Sequence, residues 1–576
     1  MIDKIALIWP EIILFATTCV VMVIGLSPSA GVRRQTALAT GIGLVVALGF
    51  AAFSPMGEGA MPGMMGYIKA LICVVGLMLL MLASGTVDRG YEASLANGKG
   101  HRFDPLRSSR GEFYAFFLFS LTGAMLCASA NDLIWLFLAL ELTSLPTYVM
   151  VTMSTRGTRS QEAGVKYFFL GALGAAIFLY GFALLYGGTG STVLFGAEGR
   201  PGIAEILGAQ VASGAGINPI AMTGLILAII GVAFKIAAVP MHFYTADVYE
   251  GAASSVSAFL AFVPKLAGIV TIILLVSLVG WGFGADPVAE KGGGLPPELR
   301  TMLWVMAALT MTVGNTLAVL QKSAKRMLAY SSIAHSGYML VGIIAGPGGS
   351  PVENSLASNG LAAVLFYLAV YGVTNVGVFG VLACLEAPGP DGQRREIETV
   401  DDLRGLCRSH PLLGWSMVLC GLSLLGLPPL LGFFGKLPLF TSAVSAGEIT
   451  LVVVLGLNSA IAAFYYLRLV GAPLLEERPE WIETPRRTPL PMRAVATSLS
   501  AGGVVTLAIF GNQLLAASES AGSYEAIDRS MFTGQNAEAP AIESPTPAIG
   551  RGGLESGAVK GVVEGVVEPV AAMPAG

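Results

Sequence analysis

The chain has 576 residues, of which 54% are hydrophobic and only 12% are charged. An ordinary soluble protein has about a quarter of its residues charged, so this sequence cannot cover a water-facing surface. The mean hydropathy of +0.72 and the small net charge of −4 therefore indicate a polytopic membrane protein with no basis for nucleic-acid binding.

Cofactor-binding motifs are missing from the sequence. The cysteines are scattered, with no CxxC pair and no Cys/His ligand spacing, which argues against iron–sulfur clusters and structural zinc. There is also no phosphate-binding GxxxxGK[ST] loop and no GxGxxG turn after a strand. We therefore expect no cofactor and no metal in this chain. The cysteines are Cys19, Cys73, Cys127, Cys384, Cys407 and Cys420.

Apolar stretches long enough to cross a bilayer, about 17 to 25 residues each, recur from position 6 to position 515. They predict an all-α fold with about fourteen transmembrane spans. A signal peptide is an alternative for the first, but Pro10 and Glu11 interrupt its apolar core, so we expect it to be retained. The spans begin near 6, 36, 68, 112, 132, 163, 219, 253, 301, 326, 360, 411, 448 and 492.

The placement of lysine and arginine predicts the orientation. The odd-numbered connections hold twenty of these residues, whereas the N-terminus and the even-numbered connections hold five. Positive residues favour the cytoplasmic side, so the N-terminus is expected outside, and an even number of spans returns the C-terminus there. The five on the external side are Lys4, Lys69, Arg200, Lys291 and Arg300.

Composition also divides the chain. Residues 516–576 are rich in Ala, Gly, Pro and Glu without an amphipathic period, which predicts a disordered external tail. The predicted segments are an N-terminal three-helix part with a cytoplasmic loop (1–110), two five-helix units (111–284 and 301–470), a C-terminal helix region (471–515) and the tail.

Five basic residues remain inside spans, namely Lys166, Lys235, Lys265, Lys436 and Arg468. Lys265 lies near the middle of the eighth span, and Glu141 lies near the middle of the fifth. A charge at that depth costs about 2.5 to 3.5 kcal/mol, so these groups should face a wet or paired interior. A purely structural ion pair is the alternative there, and snorkelling to the interface is the alternative for Lys166 and Arg468.

Two spans should be broken helices. Lys235 precedes Pro240 in GVAFKIAAVPMHF, and Lys436 lies among prolines and glycines in GLPPLLGFFGKLPLF. Non-helical backbone at membrane depth is tolerated where it lines a cavity or is buried, although a simple proline kink is the alternative. These are the seventh and twelfth spans, five apart, which predicts two inverted five-helix repeats, spans 4–8 and 9–13, as in transporter cores.

Two histidines also lie within or beside the spans. His335 sits near the centre of the tenth span in KRMLAYSSIAHSGYMLVG, among serines and a tyrosine, and His242 follows the break of the seventh span. Hydroxyls and an imidazole are suitable parts for a proton wire. A structural role, in which the histidine only accepts and donates fixed hydrogen bonds, is an equally good interpretation.

Several of these segments together resemble the antiporter-like membrane subunits of respiratory complex I, the proton-translocating NADH:quinone oxidoreductase. The resemblance covers residues from about 110 to 470. It is greatest to the N type, equivalent to mitochondrial subunit 2, because residues 265 and 436 are both lysines. The segments are GEFYAFFLFSLTGAMLCASANDLIWLFLALELTSLPTYVMV, EAGVKYFFLGALGAAIFLYG, FKIAAVPMHFYTADVYEGA, KRMLAYSSIAHSGYMLVG and GLPPLLGFFGKLPLF.

The resemblance implies a proton path through Glu141, Lys235, Lys265 and Lys436, the first two as an interacting pair, with secondary relays at Lys166, His242 and His335. It implies a bacterial inner-membrane location and other membrane subunits of the complex, including neighbouring antiporter-like subunits, as partners. NAD, FMN, iron–sulfur clusters and quinone are expected in other subunits. The sequence departs from the family where TADVYEGAASSV lacks prolines after the break, and in a long connection around 85–110.

Three functions are compatible with these features. The first is a proton-translocating, non-redox subunit of complex I. The second is a subunit of an independent multisubunit antiporter that exchanges protons for Na⁺ or K⁺. In the third, an assembly scaffold, the intramembrane ion pairs fix helix packing only.

Overall fold

A computed structural model describes residues 6–55, 57, 59–96, 104, 107–155, 157–196, 200–214, 216–282, 294–348, 358–388, 394–479 and 483–524. Most of the predicted external tail, from residue 525 onward, lies outside the described residues.

Helices make up most of the described chain. They are α1 Trp9–Gly25, α2 Ala30–Ala52, α3 Met64–Ala83, α4 Arg89–Ala96, α5 Arg110–Ala128, α6 Leu133–Ser154, α7 Thr158–Thr189, α8 Ile203–Ala212, α9 Pro219–Val232, α10 Thr245–Gly251, α11 Ser254–Ser277, α12 Pro297–Val319, α13 Ala324–Ala345, α14 Gly360–Ala383, α15 Leu406–Ser409, α16 Pro411–Leu425, α17 Leu431–Ser445, α18 Ile449–Leu474, α19 Pro491–Phe510 and α20 Asn512–Ala521.

Eleven of the described helices are long and apolar enough to cross a membrane by length and composition. Each begins near one of the predicted starts, and the other three predicted spans begin near the shorter apolar helices α1, α9 and α16. The predicted all-α polytopic fold class is therefore confirmed. One boundary differs: α20 reaches Ala521, past the predicted start of the tail, because its apolar residues pack against α3 and α14.

The two breaks lie where the prolines predict them. Residues 233–244, which include Lys235, separate α9 from α10, and Ala237 adopts a φ of 55° there. The second break separates α16 from α17 at Pro428 and Pro429. Lys436 itself lies inside α17, because Pro438 is accommodated within that helix without ending it.

The centre of the bundle is formed by α11, α13 and α14. In an apolar stretch of 18 residues, every residue of α11 and of α14 is buried, and 94% of the residues of α13 are buried. The corresponding buried share is 33% in α2, α7 and α18. Backbone polar groups of a helix are satisfied within it, so apolar helices can occupy the middle of a membrane protein as well as its rim. Lys265 and His335 are thus carried on central helices.

One predicted position is wrong. The sequence pattern places Lys69 in an external connection, but it lies inside α3 with a fully buried side chain, 2.8 Å from Glu11 of α1. The apolar residues on both sides of Lys69 continue the helix, and the carboxylate compensates the buried charge. The hydropathy of the segment alone could not reveal that partner, because Glu11 is 58 positions away.

A small antiparallel sheet, absent from the sequence prediction, joins two connections on the predicted cytoplasmic side. Its strands are β1 Leu385–Pro388, β2 Arg394–Glu396 and β3 Arg486–Arg487, in the order β2-β1-β3. Glu386 of the central strand β1 lies opposite Glu396 of β2 on one side and opposite Arg486 of β3 on the other. The sheet ties the connection after α14 to the connection before α19.

Glu396 of this sheet binds the starts of central helices. It accepts hydrogen bonds from the backbone N–H and hydroxyl of Ser254, both at 2.7 Å, and lies 3.2 Å from Lys325. Burial by itself would raise the pKa of Glu396, but Lys325, Arg493 and the Ser254 hydrogen bonds together hold that pKa below its ordinary value. The carboxylate therefore caps α11 and fastens it to α13.

Candidate functional site

Glu141 and Lys235 meet inside the bundle. The Lys235 ammonium lies 3.1 Å from the Glu141 carboxylate and also donates to the hydroxyl of Ser144, one turn further along α6. The Lys235 side chain is 2% exposed and that of Glu141 is 18% exposed. Because residues 233–244 are not helical, the lysine is carried on irregular backbone that is buried in protein, as non-helical backbone at membrane depth must be.

Lys265 is linked to that irregular segment through α13. Its ammonium donates to the carbonyl of Ser332 and, at 2.9 Å, to the hydroxyl of Ser336, both on α13. Ser336 in turn donates to the carbonyl of Ile236 at 2.6 Å. Among the described residues no carboxylate lies within ion-pair distance of Lys265, so this buried amine relies on the Ser332 and Ser336 oxygens and on the ring of Tyr371, whose centre is 5.7 Å away.

His335 is held between aromatic hydroxyls. One ring nitrogen contacts the hydroxyl of Tyr367, and the other lies 2.8 Å from the hydroxyl of Tyr466. Beside it, the hydroxyl of Tyr371 donates to Ser332 at 2.8 Å. The imidazole thus has a hydrogen-bond partner on each nitrogen, which fits both a structural histidine and a relay between two hydroxyls.

Lys436 binds the end of the first half of its broken span. Its ammonium donates to the carbonyls of Leu424 and Leu425, each at 2.9 Å, and lies 5.2 Å from the ring centre of Tyr338. These carbonyls are the last ones of α16, where a helix carries partial negative charge and lacks intrahelical donors. The break therefore makes an oxygen-lined site for a cation head group.

Three predicted groups lie apart from the contacts of Lys235, Lys265, His335 and Lys436. Lys166 is 44% exposed and forms ion pairs with Glu162 and Asp247, at 2.7 and 3.0 Å. Arg468 is exposed and donates to the carbonyl of Gln321, which agrees with snorkelling. His242 is buried on the irregular segment beside Phe243, and its Nδ1 has no hydrogen-bond partner among the described residues.

Several hydroxyls of the site are absent from the sequence prediction. Ser144, Tyr367, Tyr371 and Tyr466 each contact a predicted residue or its neighbour. Tyrosine and serine inside apolar helices are the only signal that could have indicated them, and such residues are common in helix packing. Only the packing of α14 and α18 on α13, and of α6 on α11, distinguishes these from other buried hydroxyls.

Ionisable and hydroxyl side chains therefore form a buried row that runs from Glu141 through Lys235, Ser336, Lys265 and His335 toward Lys436. We call this row the polar axis. Groups of three or more His, Cys, Asp or Glu placed to hold a metal ion do not occur in the described part of the chain. Amines, an imidazole and hydroxyls can accept and donate protons. A polytopic bundle with broken helices and such an axis defines a membrane transport protein.

Comparison with known proteins specifies the class further. The chain belongs to the NADH:quinone oxidoreductase/Mrp antiporter transmembrane family, whose characteristic region matches residues 130–462. NADH-quinone oxidoreductase subunit N of Myxococcus xanthus is 37% identical over 81% of this chain and 86% of its own length. The subunit N of Rhodospirillum rubrum is 34% identical over 85% and 91% of the two chains.

Solved structures share the fold. A chain of respiratory complex I from Thermus thermophilus superposes with a TM-score of 0.67 at 32% identity, covering 89% of this chain and 99% of that one. A chain of the Mrp complex from Dietzia sp. DQ12-45-1b gives a TM-score of 0.65 at 18% identity, over 91% and 97% of the two chains. At that identity the second likeness concerns the fold alone.

Proposed function

We propose that this chain is a proton-translocating N-type subunit of a respiratory NADH:quinone oxidoreductase and performs no redox chemistry itself. The contact between Glu141 and Lys235, next to the buried Lys265, carries this proposal. The relatives that match most of the chain are named as subunit N of that enzyme. NAD, FMN, iron–sulfur clusters and quinone belong in this proposal to other subunits.

The polar axis supplies the steps of the mechanism. Contact with the Glu141 carboxylate stabilises the protonated form of Lys235, and separation of the pair favours release of that proton. The released proton passes toward Lys265, which Ser336 links to the backbone of residue 236, while Lys235 becomes the neutral amine. From Lys265 the proton moves past His335 and the surrounding hydroxyls to Lys436, with water filling the intervals.

The arrangement of helices supports the two inverted repeats. In the first unit α5 packs on α6, α6 on α7, and α5 on α11; in the second, α12 packs on α13, α13 on α14, and α12 on α18. Each unit also contains one broken span. We assign α5–α11 and α12–α18 as these repeats, with Lys235 and Lys436 at the two breaks.

The orientation and partners follow from the same proposal. The excess of basic residues in odd-numbered connections supports external termini, and the bacterial relatives support the bacterial inner membrane. The half-exposed Lys166 and the apolar outer faces of α7 and α18 are available to neighbouring antiporter-like subunits of the complex. The segment boundaries predicted at 110, 284, 301 and 470 remain part of this proposal, whereas the tail begins after Ala521.

The test uses Glu141→Gln in the assembled complex within inverted membrane vesicles. We expect NADH oxidation with an artificial acceptor to persist, while proton uptake per NADH oxidised with quinone falls, since the amide can neither hold the charge nor exchange a proton. Undiminished pumping in this variant would contradict the proposed path. Copurification with antiporter subunits and without iron–sulfur proteins would instead favour the Na⁺(K⁺)/H⁺ antiporter.

A further inference from the structure

The N-terminal helices hold a second buried acid–base pair that the polar axis does not include. Glu11 of α1 and Lys69 of α3 lie 2.8 Å apart, with side chains that are 4% and 0% exposed. Lys69 also donates to the carbonyl of Leu7, and Ser129, just after α5, donates to the same Glu11 oxygen at 3.1 Å. This pair repeats the chemistry of Glu141 and Lys235.

The second carboxylate oxygen of Glu11 is not satisfied by the described part of the chain. It is buried, and it has no hydrogen-bond partner among the residues that the structure describes. A buried carboxylate oxygen is costly unless something donates a hydrogen bond to it. The orphaned oxygen therefore points to a donor other than these residues, and water is the smallest that fits.

A cavity for water adjoins two of the residues that bind the pair. Its volume is about 50 Å³, and its wall includes Leu7 and Ser129, the two residues that bind Lys69 and Glu11, together with the polar side chains of Asn131 and Ser277. A water molecule needs about 10 to 15 Å³ and two to four polar partners, so the cavity has room for a few. Its lining comes from helix ends and connections predicted to be external.

The same part of the chain approaches the polar axis. Ser120 of α5 donates to the carbonyl of Thr143, two residues from Glu141 on α6, at 2.7 Å, and Ser129 just after α5 binds Glu11. The helix α5 therefore contacts the surroundings of both acid–base pairs.

We propose that Glu11 and Lys69 form a second proton-exchanging pair that connects the polar axis to the external water through this cavity. The inference rests on the proposed function. In the exchange, the Lys69 ammonium gives one proton to the Glu11 carboxylate, leaving a neutral amine and a neutral acid. The acid passes that proton to a cavity water, which becomes hydronium, and the amine takes its next proton from the axis.

A purely structural pair is the competing explanation, because α1 and α3 both pack around α5 and need a compensated charge. Two conservative variants distinguish these roles. Lys69→Arg keeps the charge and the ion pair but cannot release a proton, since the guanidinium pKa is above about 12. Glu11→Gln keeps the shape and an acceptor oxygen but cannot take the proton.

The experiment measures proton uptake per NADH oxidised in inverted vesicles at matched complex content. Glu141→Gln serves as the reference for the proposed function, and Arg408→Gln, which breaks the exposed pair with Glu477, serves as the matched control. We expect Lys69→Arg and Glu11→Gln to assemble and to lower the proton-to-NADH ratio at least about twofold, because neither side chain exchanges a proton. Arg408→Gln should match the wild type.

The outcomes separate the two proposals. Wild-type pumping by Lys69→Arg, or failure of both pair variants to accumulate in the membrane, would overturn the second pair and leave it a packing element. If Glu141→Gln also pumps normally, the proposed function fails with it. If Glu141→Gln pumps fewer protons per NADH while Lys69→Arg and Glu11→Gln keep the wild-type ratio, only the inference about Glu11 and Lys69 is overturned.

Discussion

Ser336 binds Lys265 and the irregular backbone that carries Lys235 at the same time. Its hydroxyl accepts from the Lys265 ammonium at 2.9 Å and donates to the carbonyl of Ile236 at 2.6 Å. The two lysines come from different segments of the chain, and this one hydroxyl joins them. Ser336 is therefore a direct hydrogen-bonded link between the break at 233–244 and Lys265.

We expect Ser336→Ala to reduce coupled proton pumping strongly while electron transfer by the complex persists. The substitution removes a partner of a buried ammonium and of a buried carbonyl, a loss of about 1 to 3 kcal/mol. The measurement is proton uptake in inverted vesicles at matched complex content. Ser416→Ala is the control, because the Ser416 hydroxyl bonds the backbone of its own helix at Leu412. Equal pumping by the two variants would contradict the role of Ser336.

Lys436→Arg separates charge from proton release at the second break. Arginine retains donors for the carbonyls of Leu424 and Leu425 but keeps its proton, since its pKa is above about 12. We expect the complex to assemble and its proton uptake to fall below about half of the wild-type rate, because the terminal exchange is blocked. If the arginine variant pumps as the wild type does, Lys436 is an electrostatic anchor and lies off the path.

Ala237 gives a backbone test of the first break. Its φ of 55° lies in the left-handed region, which costs an L-residue about 1 to 2 kcal/mol and glycine little. Ala237→Gly should therefore leave the thermal unfolding temperature of the purified complex unchanged or raise it. Ala238→Gly, at a neighbouring residue without a positive φ, should lower it, with a cost of about 0.5 to 1 kcal/mol. A reversed order of the two temperatures would show that the break is not held in this conformation.

Glu396 predicts a dependence of stability on pH. Its folded-state pKa lies below the ordinary value of 4.5, so its contribution to stability is fully present above that value and is lost as the pH falls through the lowered pKa. At neutral pH, Glu396→Gln leaves Lys325 without its carboxylate and should destabilise the complex by about 3 kcal/mol.

Thermal unfolding of wild type and Glu396→Gln at neutral pH and at successively lower pH values below 4.5 measures this dependence. The difference between the two proteins should be large at neutral pH and should shrink on acidification, as the wild-type carboxylate takes up a proton. Glu477→Gln is the control, because Glu477 is exposed and pairs only with the exposed Arg408 in the described chain. A difference that stays constant with pH would argue against the charge of Glu396 as the cause.

Local sequence patterns were enough to predict the membrane spans, the two breaks and three of the buried lysines. These features depend on local physics: the length of an apolar stretch, the proline that removes an N–H, and the cost of a charge at bilayer depth. Lys235, Lys265 and Lys436 stand out for that reason, since each is a charge inside an apolar stretch, and Lys235 and Lys436 lie in spans that prolines interrupt. The family resemblance added the pairing of Glu141 with Lys235, which periodicity does not contain.

The tertiary structure alone decided which groups touch. Glu141 and Lys235 are 94 residues apart, Lys265 and Ser336 are 71 apart, and the separation of Ser254 from Glu396 is 142. Hydrophobic patterns report which face of a helix is buried, but not which helix will face it. For the same reason the sequence pattern misplaces Lys69 and does not reveal the strands around Glu396, because each depends on a partner supplied by a distant segment.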